Sequence, residues 1–479
     1  MSVPYRNILF AGLALLIVAC VCLAVLGVTG AGVTLFVPTP ALPTVTALPT
    51  APTATRRPTP ILTATTAPSV QGIPPTLTPT RAQLSPQISQ EMDQIQQQVV
   101  VLRGLQPKEA VNRALITRAE LQNQVDGSFF KDYTAQDAQN DQTVLTAFGL
   151  LPAAFDLRSF YQKLYAEGIA GYYDNQTKQM YVVQDQGFEG PERLTYAHEY
   201  THALQDQNYD IQNGLGYSDA ACKHETERCA GLQALIEGDA TLVEQDWLLA
   251  DSTPLDREQI QGSINTLHTP VYDSAPAFMQ QDFLFPYRSG EEFVQSLFDR
   301  GGWAAVNQAF QNPPVSTEQI LHPDRYPEDQ PVSVSLPDLT SALGSGWSLV
   351  NQNPMGEWYT YLILAYGADS RTRMTASAAQ AATQGWHGDE YAVYSHAGSV
   401  EALLASEWDS AQNALQFRNA FAEYGTARWG APAANQPDGL RWETAGGVVE
   451  LRLQGTRTTW VMSPDPQTHQ TVETALQQK

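Results

Sequence analysis

The five residues from His198 to His202, His-Glu-Tyr-Thr-His, constrain this chain more than any other stretch. Residues four apart lie on the same face of an α-helix, so the imidazoles of His198 and His202 can reach a single metal ion. Glu199 lies one step round the helix, where its carboxylate can polarise a metal-bound water without becoming a ligand. No Pro or Gly interrupts residues 194–208. We therefore expect a buried helix that carries two zinc ligands, rather than a surface helix with an accidental His pair.

A catalytic zinc site needs a third protein ligand. The metzincin pattern is excluded, because the position six residues after His202 is Asn208 rather than His. Glu237 is the better candidate, since it lies among Leu, Ile, Ala and Val, where a carboxylate is costly to bury unless it is paired or binds a metal. An exposed position on an amphipathic helix is the alternative for Glu237, and His224 is a rival ligand. The expected site has two His, one Glu and an open position for water.

These residues resemble the gluzincin group of zinc metallopeptidases, in which a second helix supplies a Glu ligand. More narrowly, residues 198–207 (HEYTHALQDQ) and 236–240 (IEGDA) are similar to a largely uncharacterised family of bacterial membrane-anchored proteins. Residues 285–290 (FPYRSG) and 314–323 (PVSTEQILHP) fit the same family. The resemblance covers about residues 90–330. It departs from the thermolysin type, where an Asn precedes the ligand Glu at a much shorter spacing.

The resemblance implies a reaction and the groups that perform it. The expected activity is that of an endopeptidase, which hydrolyses peptide bonds in a protein or peptide substrate with Glu199 as the general base toward a zinc-activated water. Tyr287 and His322 are the candidate donors to the developing oxyanion, because gluzincins commonly carry a downstream Tyr or His in that role. The alternatives are a packed core aromatic for Tyr287 and a loop residue for His322, which precedes Pro323.

Helical geometry proposes further groups around the ligands. Asp206 shares the face of the second His ligand, and Thr241 and Glu244 share the face of Glu237. Each of them can accept a proton from a ligand imidazole and so fix its tautomer. Asp239 points away from Glu237 on an ideal helix, so only the resemblance favours it. For each of these residues, an ordinary solvent-facing side chain is the alternative.

Residues 169–183 predict a β-hairpin just before the zinc helix. Two runs of aromatic or β-branched residues flank a polar Asp-Asn-Gln-Thr turn. A strand at this place resembles the edge strand on which zincins pair an extended substrate backbone. An ordinary core strand explains the same residues.

The N-terminal part of the chain predicts a membrane anchor and a stalk. Residues 8–30 begin with an uncharged, almost wholly apolar run of 21 residues, long enough to cross a bilayer. Arg6, in a short tail at 1–7, favours a cytoplasmic N-terminus. A cleaved signal peptide and a lipoprotein modified at Cys20 are the alternatives. Residues 31–85 are rich in Pro and Thr, which predicts an extended stalk.

The charge of the chain narrows its partners and location. The sequence has 27 Lys and Arg against 50 Asp and Glu, and four of the Arg but none of the acids precede residue 86. The remainder is therefore strongly acidic, which disfavours nucleic acid and anionic lipid as partners. We expect a single-pass protein of the cell membrane, held in the bilayer by its N-terminal helix, with its catalytic domain extracytoplasmic. Outside the cytoplasm, Cys222 and Cys229 most simply form a disulfide, which would stiffen the connection between the two ligand helices.

The expected fold class is α+β. A mainly helical, zincin-like metallopeptidase domain with a small edge-strand sheet is expected at 86–340, and a smaller α+β module at 341–479, divided by a stretch rich in Pro, Gly and Ser. The module is expected to hold no catalytic constellation, and residues 386–389 (WHGD) are expected to form a turn. Its predicted elements are a helix at 355–366, a strand at 391–394, a helix at 406–424 and a strand pair at 447–462.

A second class of function fits the same composition. A non-catalytic surface or cell-envelope binding protein, built on a degenerate zincin scaffold, would also carry an acidic surface, a stalk and an extra module.

Overall fold

The computed structural model describes residues 84–131, 133–184 and 187–477. The predicted tail and membrane anchor, and all but the last residues of the predicted stalk, lie outside these ranges. None of the described helices combines the length and the apolar character that a membrane crossing requires.

The described helices fill most of the chain before residue 340 and alternate with strands after it. In chain order they are α1 (Pro86–Arg103), α2 (Arg118–Gln124), α3 (Ala135–Ala147), α4 (Leu157–Gly168), α5 (Gly190–Tyr209), α6 (Asp219–Cys222), α7 (Thr226–Ala250), α8 (Pro254–Thr266), α9 (Pro270–Asp273), α10 (Ala277–Asp282), α11 (Phe285–Gln311), α12 (Thr317–Leu321), α13 (Thr340–Leu343), α14 (Gly356–Tyr366), α15 (Ala376–Thr383), α16 (Ala411–Trp429) and α17 (Pro466–Leu476).

The described strands form two sheets. They are β1 (Asn112–Ile116), β2 (Gly171–Asp174), β3 (Gln179–Val183), β4 (Ser348–Asn353), β5 (Trp386–His396), β6 (Ser399–Trp408), β7 (Ala434–Gln436), β8 (Gly439–Thr444), β9 (Gly447–Gln454) and β10 (Arg457–Ser463). The first sheet has the order β1-β3-β2, with β1 parallel and β2 antiparallel to β3. The second is antiparallel, with the order β4-β5-β6-β10-β9-β8-β7. The α+β fold class is therefore confirmed.

Helix α5 lies at the centre of the helical part. It packs against α1, α7, α8 and the β2–β3 hairpin, which explains why nearly every side chain from Leu194 to Asp206 is buried. The helix begins with the Glu192 side chain accepting a hydrogen bond from the Glu189 N–H at 3.1 Å, as in a capping box. It ends at Asp210, whose left-handed backbone has a φ of 49°. The predicted helix across residues 194–208 is thus confirmed.

The backbones of α7 and α11 meet at two glycines. A Cβ on Gly238 would lie 2.1 Å from the carbonyl carbon and oxygen of Gly290, and a Cβ on Gly290 would lie 2.1 Å from the Ala234 oxygen. Only glycine permits this approach. Because Glu237 precedes Gly238 and Tyr287 lies three residues before Gly290, the contact brings α11 against the predicted ligand helix.

The seven-stranded sheet has apolar side chains on both faces. Tyr391 and Val393 of β5 belong to the main core, whereas the alternating residues Ala392 and Tyr394 pack into a smaller cluster with Val472 of α17. Helix α16 packs on the sheet through β6, β8, β9 and β10. The main core is continuous across the predicted domain boundary at 340, since it includes residues from α1 to β10.

The secondary structure predicted for the last third of the chain is largely confirmed. Helix α14, strand β5 and the β9–β10 pair are present as expected. The helix predicted at 406–424 is wrong at its start, because Ser406 to Trp408 end strand β6 and Ser410 caps α16 by accepting from the Asn413 N–H. The turn predicted at 386–389 is also wrong. These residues begin β5, where Trp386 is buried in the core.

Candidate metal centre

Two helices bring the three predicted ligands together. The Nε2 atom of His198 lies 3.2 Å from Oε2 of Glu237, and Nε2 of His202 lies 3.4 Å from the same oxygen. Donor atoms at 2.0–2.1 Å from a tetrahedral zinc lie roughly 3.3 Å apart. The two nitrogen–oxygen distances therefore fit a single zinc ion, and the three donor atoms all lie within 4.8 Å of one another.

The other nitrogen of each imidazole is engaged elsewhere. His198 Nδ1 lies 2.8 Å from Oε2 of Glu244, and His202 Nδ1 lies 2.9 Å from Oε1 of Gln205. With Nδ1–H as the donor in both bonds, Nε2 of each ring faces Glu237 and is the atom that would offer its lone pair to a metal ion. This is the tautomer that a metal ligand requires.

The donors are completely buried, and their charges depend on one another. His198, His202 and Glu237 each have 0% solvent exposure. Burial opposes the charged form of His198, but hydrogen bonds with Glu237 and Glu244 outweigh burial and hold its pKa well above the ordinary value. Burial raises the pKa of Glu237, but the charge of His202 and the bond with His198 outweigh it, so that the net shift is downward. The buried carboxylates thus favour a positive charge at this point, which a metal ion would also supply.

Glu199 faces the same space from α5. It has 0% exposure, and burial raises its pKa well above the ordinary value; the positive charge of His198 opposes this rise, and the charge of Glu237 adds to it. Strand β2 lies directly against it, because a Cβ on Gly171 would be 3.2 Å from Cγ of Glu199. A carboxyl group with a raised pKa beside a metal can take up a proton and release it again.

The residues predicted to accept a proton from the ligand imidazoles are confirmed only in part. Glu244 is confirmed as the partner of His198. Asp206 instead accepts hydrogen bonds from the Tyr173 hydroxyl at 2.9 Å and from the Lys178 ammonium at 2.5 Å, on the hairpin beside α5. The hydroxyl of Thr241 is buried and makes no hydrogen bond within the described residues.

Gln205 is the partner of His202 that sequence reasoning missed. Its Nε2 donates to Oδ2 of Asp239 at 2.7 Å and to the backbone oxygen of Ile236 at 2.9 Å. Asp239 therefore contributes to the site through Gln205, although it points away from Glu237. Gln205 lies in the stretch HALQDQ, three residues after His202. Its role depends on α7, which supplies Ile236 and Asp239 as the acceptors of its amide, and the sequence does not indicate where α7 lies.

Of the other candidate residues, Tyr287 lies beside the donor cluster, whereas His322 and His224 lie away from it. The Tyr287 ring centroid is 6.3 Å from that of His198, so α11 brings this buried residue to the metal centre. His322 Nε2 lies 3.0 Å from an oxygen of Glu357 on α14, in the contact between α12 and α14. His224 is exposed and is not part of the donor cluster.

The neighbouring strand and disulfide are also as predicted. The β2–β3 hairpin is present, and β2 is an edge strand of its sheet. Cys222 and Cys229 form a disulfide with a Cα–Cα distance of 5.6 Å. The disulfide joins α6 to the first turn of α7 and so fixes the connection that leads from α5 to Glu237.

Two other clusters in the described residues have donor atoms close enough for a metal, but arginines already neutralise them. Arg325 lies 2.8 Å from both Asp329 and Asp409, which surround His387. Arg452 pairs with both carboxylates of the third cluster, which consists of Glu450, His469 and Glu473. The cluster on α5 and α7 differs, because within the described residues no arginine or lysine pairs with the carboxylate of Glu237.

The residues present fit a zinc ion. Two imidazole nitrogens and one carboxylate are the donor set of a catalytic zinc site, and the set leaves one coordination position open. Oε1 of Glu237 is buried and makes no hydrogen bond within the described chain, which suits a carboxylate that binds a metal. The arrangement can hold a Lewis acid next to a carboxyl group able to carry a proton.

Comparison with known proteins gives a family match in the C-terminal part of the chain. Residues 347–473 match a family described as a domain of unknown function, DUF8575. This segment begins at β4 and ends within α17, so it spans the seven-stranded sheet and excludes the metal centre. No curated protein and no solved structure matches the chain. The C-terminal sheet is therefore similar to a family whose description assigns it no activity.

Proposed function

We propose that this protein is a zinc-dependent endopeptidase that is tethered to the membrane and acts outside the cytoplasm. One observation carries the proposal: the Nε2 atoms of His198 and His202 lie 3.2 and 3.4 Å from one Glu237 oxygen, as zinc ligands would, and Glu199 interacts electrostatically with His198 and Glu237. His198, His202 and Glu237 are the proposed ligands. When bound there, zinc would polarise a peptide carbonyl and lower the pKa of water.

The proton transfers are assigned to Glu199. Its carboxylate would accept a proton from the attacking water and then give this proton to the leaving amine. One carboxyl group would thus act as the base in the first transfer and as the acid in the second. Glu244 and Gln205 would keep the two imidazoles in the orientation needed for metal binding.

The developing oxyanion requires a donor besides the metal. Tyr287 is the stronger candidate, because α11 brings its ring beside that of His198. His322 is the weaker one, since its imidazole is bonded to Glu357. Either group would donate a hydrogen bond to the charge that forms on the carbonyl oxygen.

The substrate is proposed to be an extended peptide. Strand β2 is the edge strand next to α5, and an edge strand offers its backbone groups to a further strand. Pairing along β2 would give affinity with little dependence on sequence. The predicted anchor and stalk support an extracytoplasmic position, as does the Cys222–Cys229 disulfide.

The experiment is to purify the full-length chain in detergent, load it with zinc, and measure bound zinc and hydrolysis of a mixed peptide library. We expect about one zinc per chain. Glu199→Gln should retain the zinc and abolish hydrolysis, whereas Glu423→Gln, at an exposed position of α16, should change neither. Absence of zinc after loading would refute the proposal.

A second candidate is a non-catalytic binding protein of the cell surface in which the ion has a structural role. The observation that favours it is the complete burial of His198, Glu199, His202 and Glu237, since a hydrolytic site must admit its substrate. In this case the wild type and Glu199→Gln would both bind zinc and both leave every peptide and an unfolded protein intact.

A further inference from the structure

Arg103 is a fully buried cation at the end of the first described helix, α1. Its exposure is 0%, and its Nε donates to Oδ1 of Asp239 at 2.6 Å. Its Nη1 donates to Oδ1 of Asn307 on α11 at 2.8 Å, and its guanidinium lies 4.4 Å from the centre of the Trp303 ring. Arg103 therefore connects α1, α7 and α11 at one point.

The same carboxylate leads from Arg103 to the metal centre. Oδ2 of Asp239 accepts from Nε2 of Gln205 at 2.7 Å, and Oε1 of Gln205 lies 2.9 Å from Nδ1 of His202. The chain of contacts is Arg103, Asp239, Gln205 and His202.

The polarity of these hydrogen bonds fixes the His202 tautomer. The Gln205 amide nitrogen has two acceptors, Asp239 and the backbone oxygen of Ile236. The amide oxygen is therefore directed at His202, where it accepts from Nδ1–H. A proton on Nδ1 leaves the lone pair of Nε2 for a metal.

The orientation of Gln205 depends on the Asp239 carboxylate staying where it accepts from the Gln205 amide. Asp239 has 0% exposure, and an isolated carboxylate at such a position is costly. Arg103 supplies the opposite charge through its Nε bond to Asp239, and its Nη1 bond to Asn307 fixes the guanidinium plane, so Arg103 holds the Asp239 carboxylate in place.

We propose that Arg103 is a positioning residue for the ligand His202, acting through Asp239 and Gln205. This inference rests on the proposed function, because it takes His202 as a metal ligand. It makes α1 a part of the metal centre. Because Arg103 lies on α1, a displacement of this helix would change metal affinity. Helix α1 directly follows the predicted stalk.

Helix α1 also contacts α5 and α7 through bonds that do not lead to His202. Glu91 pairs with Arg193 of α5 at 3.0 Å, and Gln98 accepts from the Trp247 indole of α7 at 2.9 Å. Gln98→Leu is therefore the matched control, because it breaks a bond between α1 and α7 and leaves the path from Arg103 intact.

The test is a double-mutant cycle read as zinc affinity. Arg103→Lys keeps the charge but loses the fork, and Gln205→Met breaks the path while leaving Asp239 paired with Arg103. We expect each variant to bind zinc roughly 10–100-fold more weakly, as when an outer-shell partner is removed. In the Gln205→Met background, Arg103→Lys should have no further effect on affinity. Both single variants should shift the visible absorption of the cobalt-substituted protein in the same way, and Gln98→Leu should shift neither quantity.

Three results would overturn the inference. Arg103→Lys could leave the zinc affinity unchanged, or it could weaken affinity equally in both backgrounds, as a general loss of stability would. Gln98→Leu could weaken zinc binding as much as Arg103→Lys. Each of these leaves the proposed function standing, whereas failure of the wild type to bind zinc would refute both.

Discussion

Gly238 of α7 and Gly290 of α11 touch through their backbones. Each glycine would place an added Cβ 2.1 Å from a backbone atom of the other helix. The contact lies one residue after Glu237 and three residues after Tyr287, so it sets the distance between Glu237 and the aromatic ring beside His198. Two residues without side chains thus set how closely α11 approaches the helix that carries Glu237.

Substitution at this contact should therefore affect both stability and metal binding. Gly290→Ala has to separate α7 from α11, and overpacking of this kind typically costs about 1–3 kcal/mol. We expect a lower urea midpoint and weaker zinc binding. Gly262→Ala is the control, since Gly262 lies within α8 with no atom within 4 Å of its added Cβ. It should raise stability by roughly 0.5–1 kcal/mol, because alanine favours the helix. Equal destabilisation by both substitutions would contradict this account.

The identity of the proposed third ligand can be tested by replacing each of two candidates with alanine. Glu237→Ala removes a buried donor, so we expect a large loss of zinc affinity and a lower melting temperature of the zinc-loaded protein. His224→Ala should change neither property, because His224 is exposed and outside the donor cluster. Isothermal titration with zinc and thermal unfolding measure both effects. Loss of zinc on changing His224 rather than Glu237 would show that the ligand assignment is wrong.

Tyr287 and His322 can be separated by their effects on turnover. Tyr287→Phe removes only the hydroxyl, so we expect kcat to fall by about 10²–10³, as for loss of an oxyanion donor, with zinc affinity unchanged. His322→Gln retains a group that can bond Glu357 and should have the smaller effect on kcat. The measurement is steady-state hydrolysis of one library-derived peptide. A larger loss of kcat for His322→Gln would reverse the two assignments.

Local patterns were enough to predict which residues come together at the candidate metal centre. The His198–His202 spacing predicted a helix and two ligands, and an acidic residue among apolar neighbours pointed to Glu237. The β2–β3 hairpin and the Cys222–Cys229 disulfide were also predicted, since each depends on residues close in sequence. These features rest on helical periodicity, turn chemistry and short spacing.

The groups around the ligands required the tertiary structure. Arg103 and Asp239 are 136 residues apart, and no periodicity connects them. Asp206 shares a helical face with His202, but the hairpin supplies Tyr173 and Lys178 as its partners. Residues 386–389 contain a glycine and an aspartate, which favour turns, yet burial of Trp386 in the core keeps them in a strand. In each case packing by a distant element outweighed the local preference.

The last prediction concerns a buried carboxyl group between α7 and α12. Oε1 of Glu227 accepts hydrogen bonds of 2.6 Å from both the backbone N–H and the hydroxyl of Thr317. Burial raises the pKa of Glu227 to about 8, even though the bonds from Thr317 oppose this rise, and the nearby Asp389 and Glu357 add to it. In the unfolded chain a Glu titrates near pH 4.3. Between these two pH values the unfolded state loses this proton while the folded state keeps it, so stability must fall as pH rises.

Glu227→Gln should remove this part of the pH dependence, because the amide oxygen can still accept from Thr317 and the side chain no longer ionises. We expect urea midpoints that differ little between the variant and the wild type near pH 4. Toward pH 8 the variant should become progressively more stable than the wild type. Glu258→Gln, at an exposed position of α8, is the control and should follow the wild type throughout. A wild type that gained stability relative to Glu227→Gln as the pH rose would show that Glu227 is held as a stabilising carboxylate, with a pKa below its ordinary value.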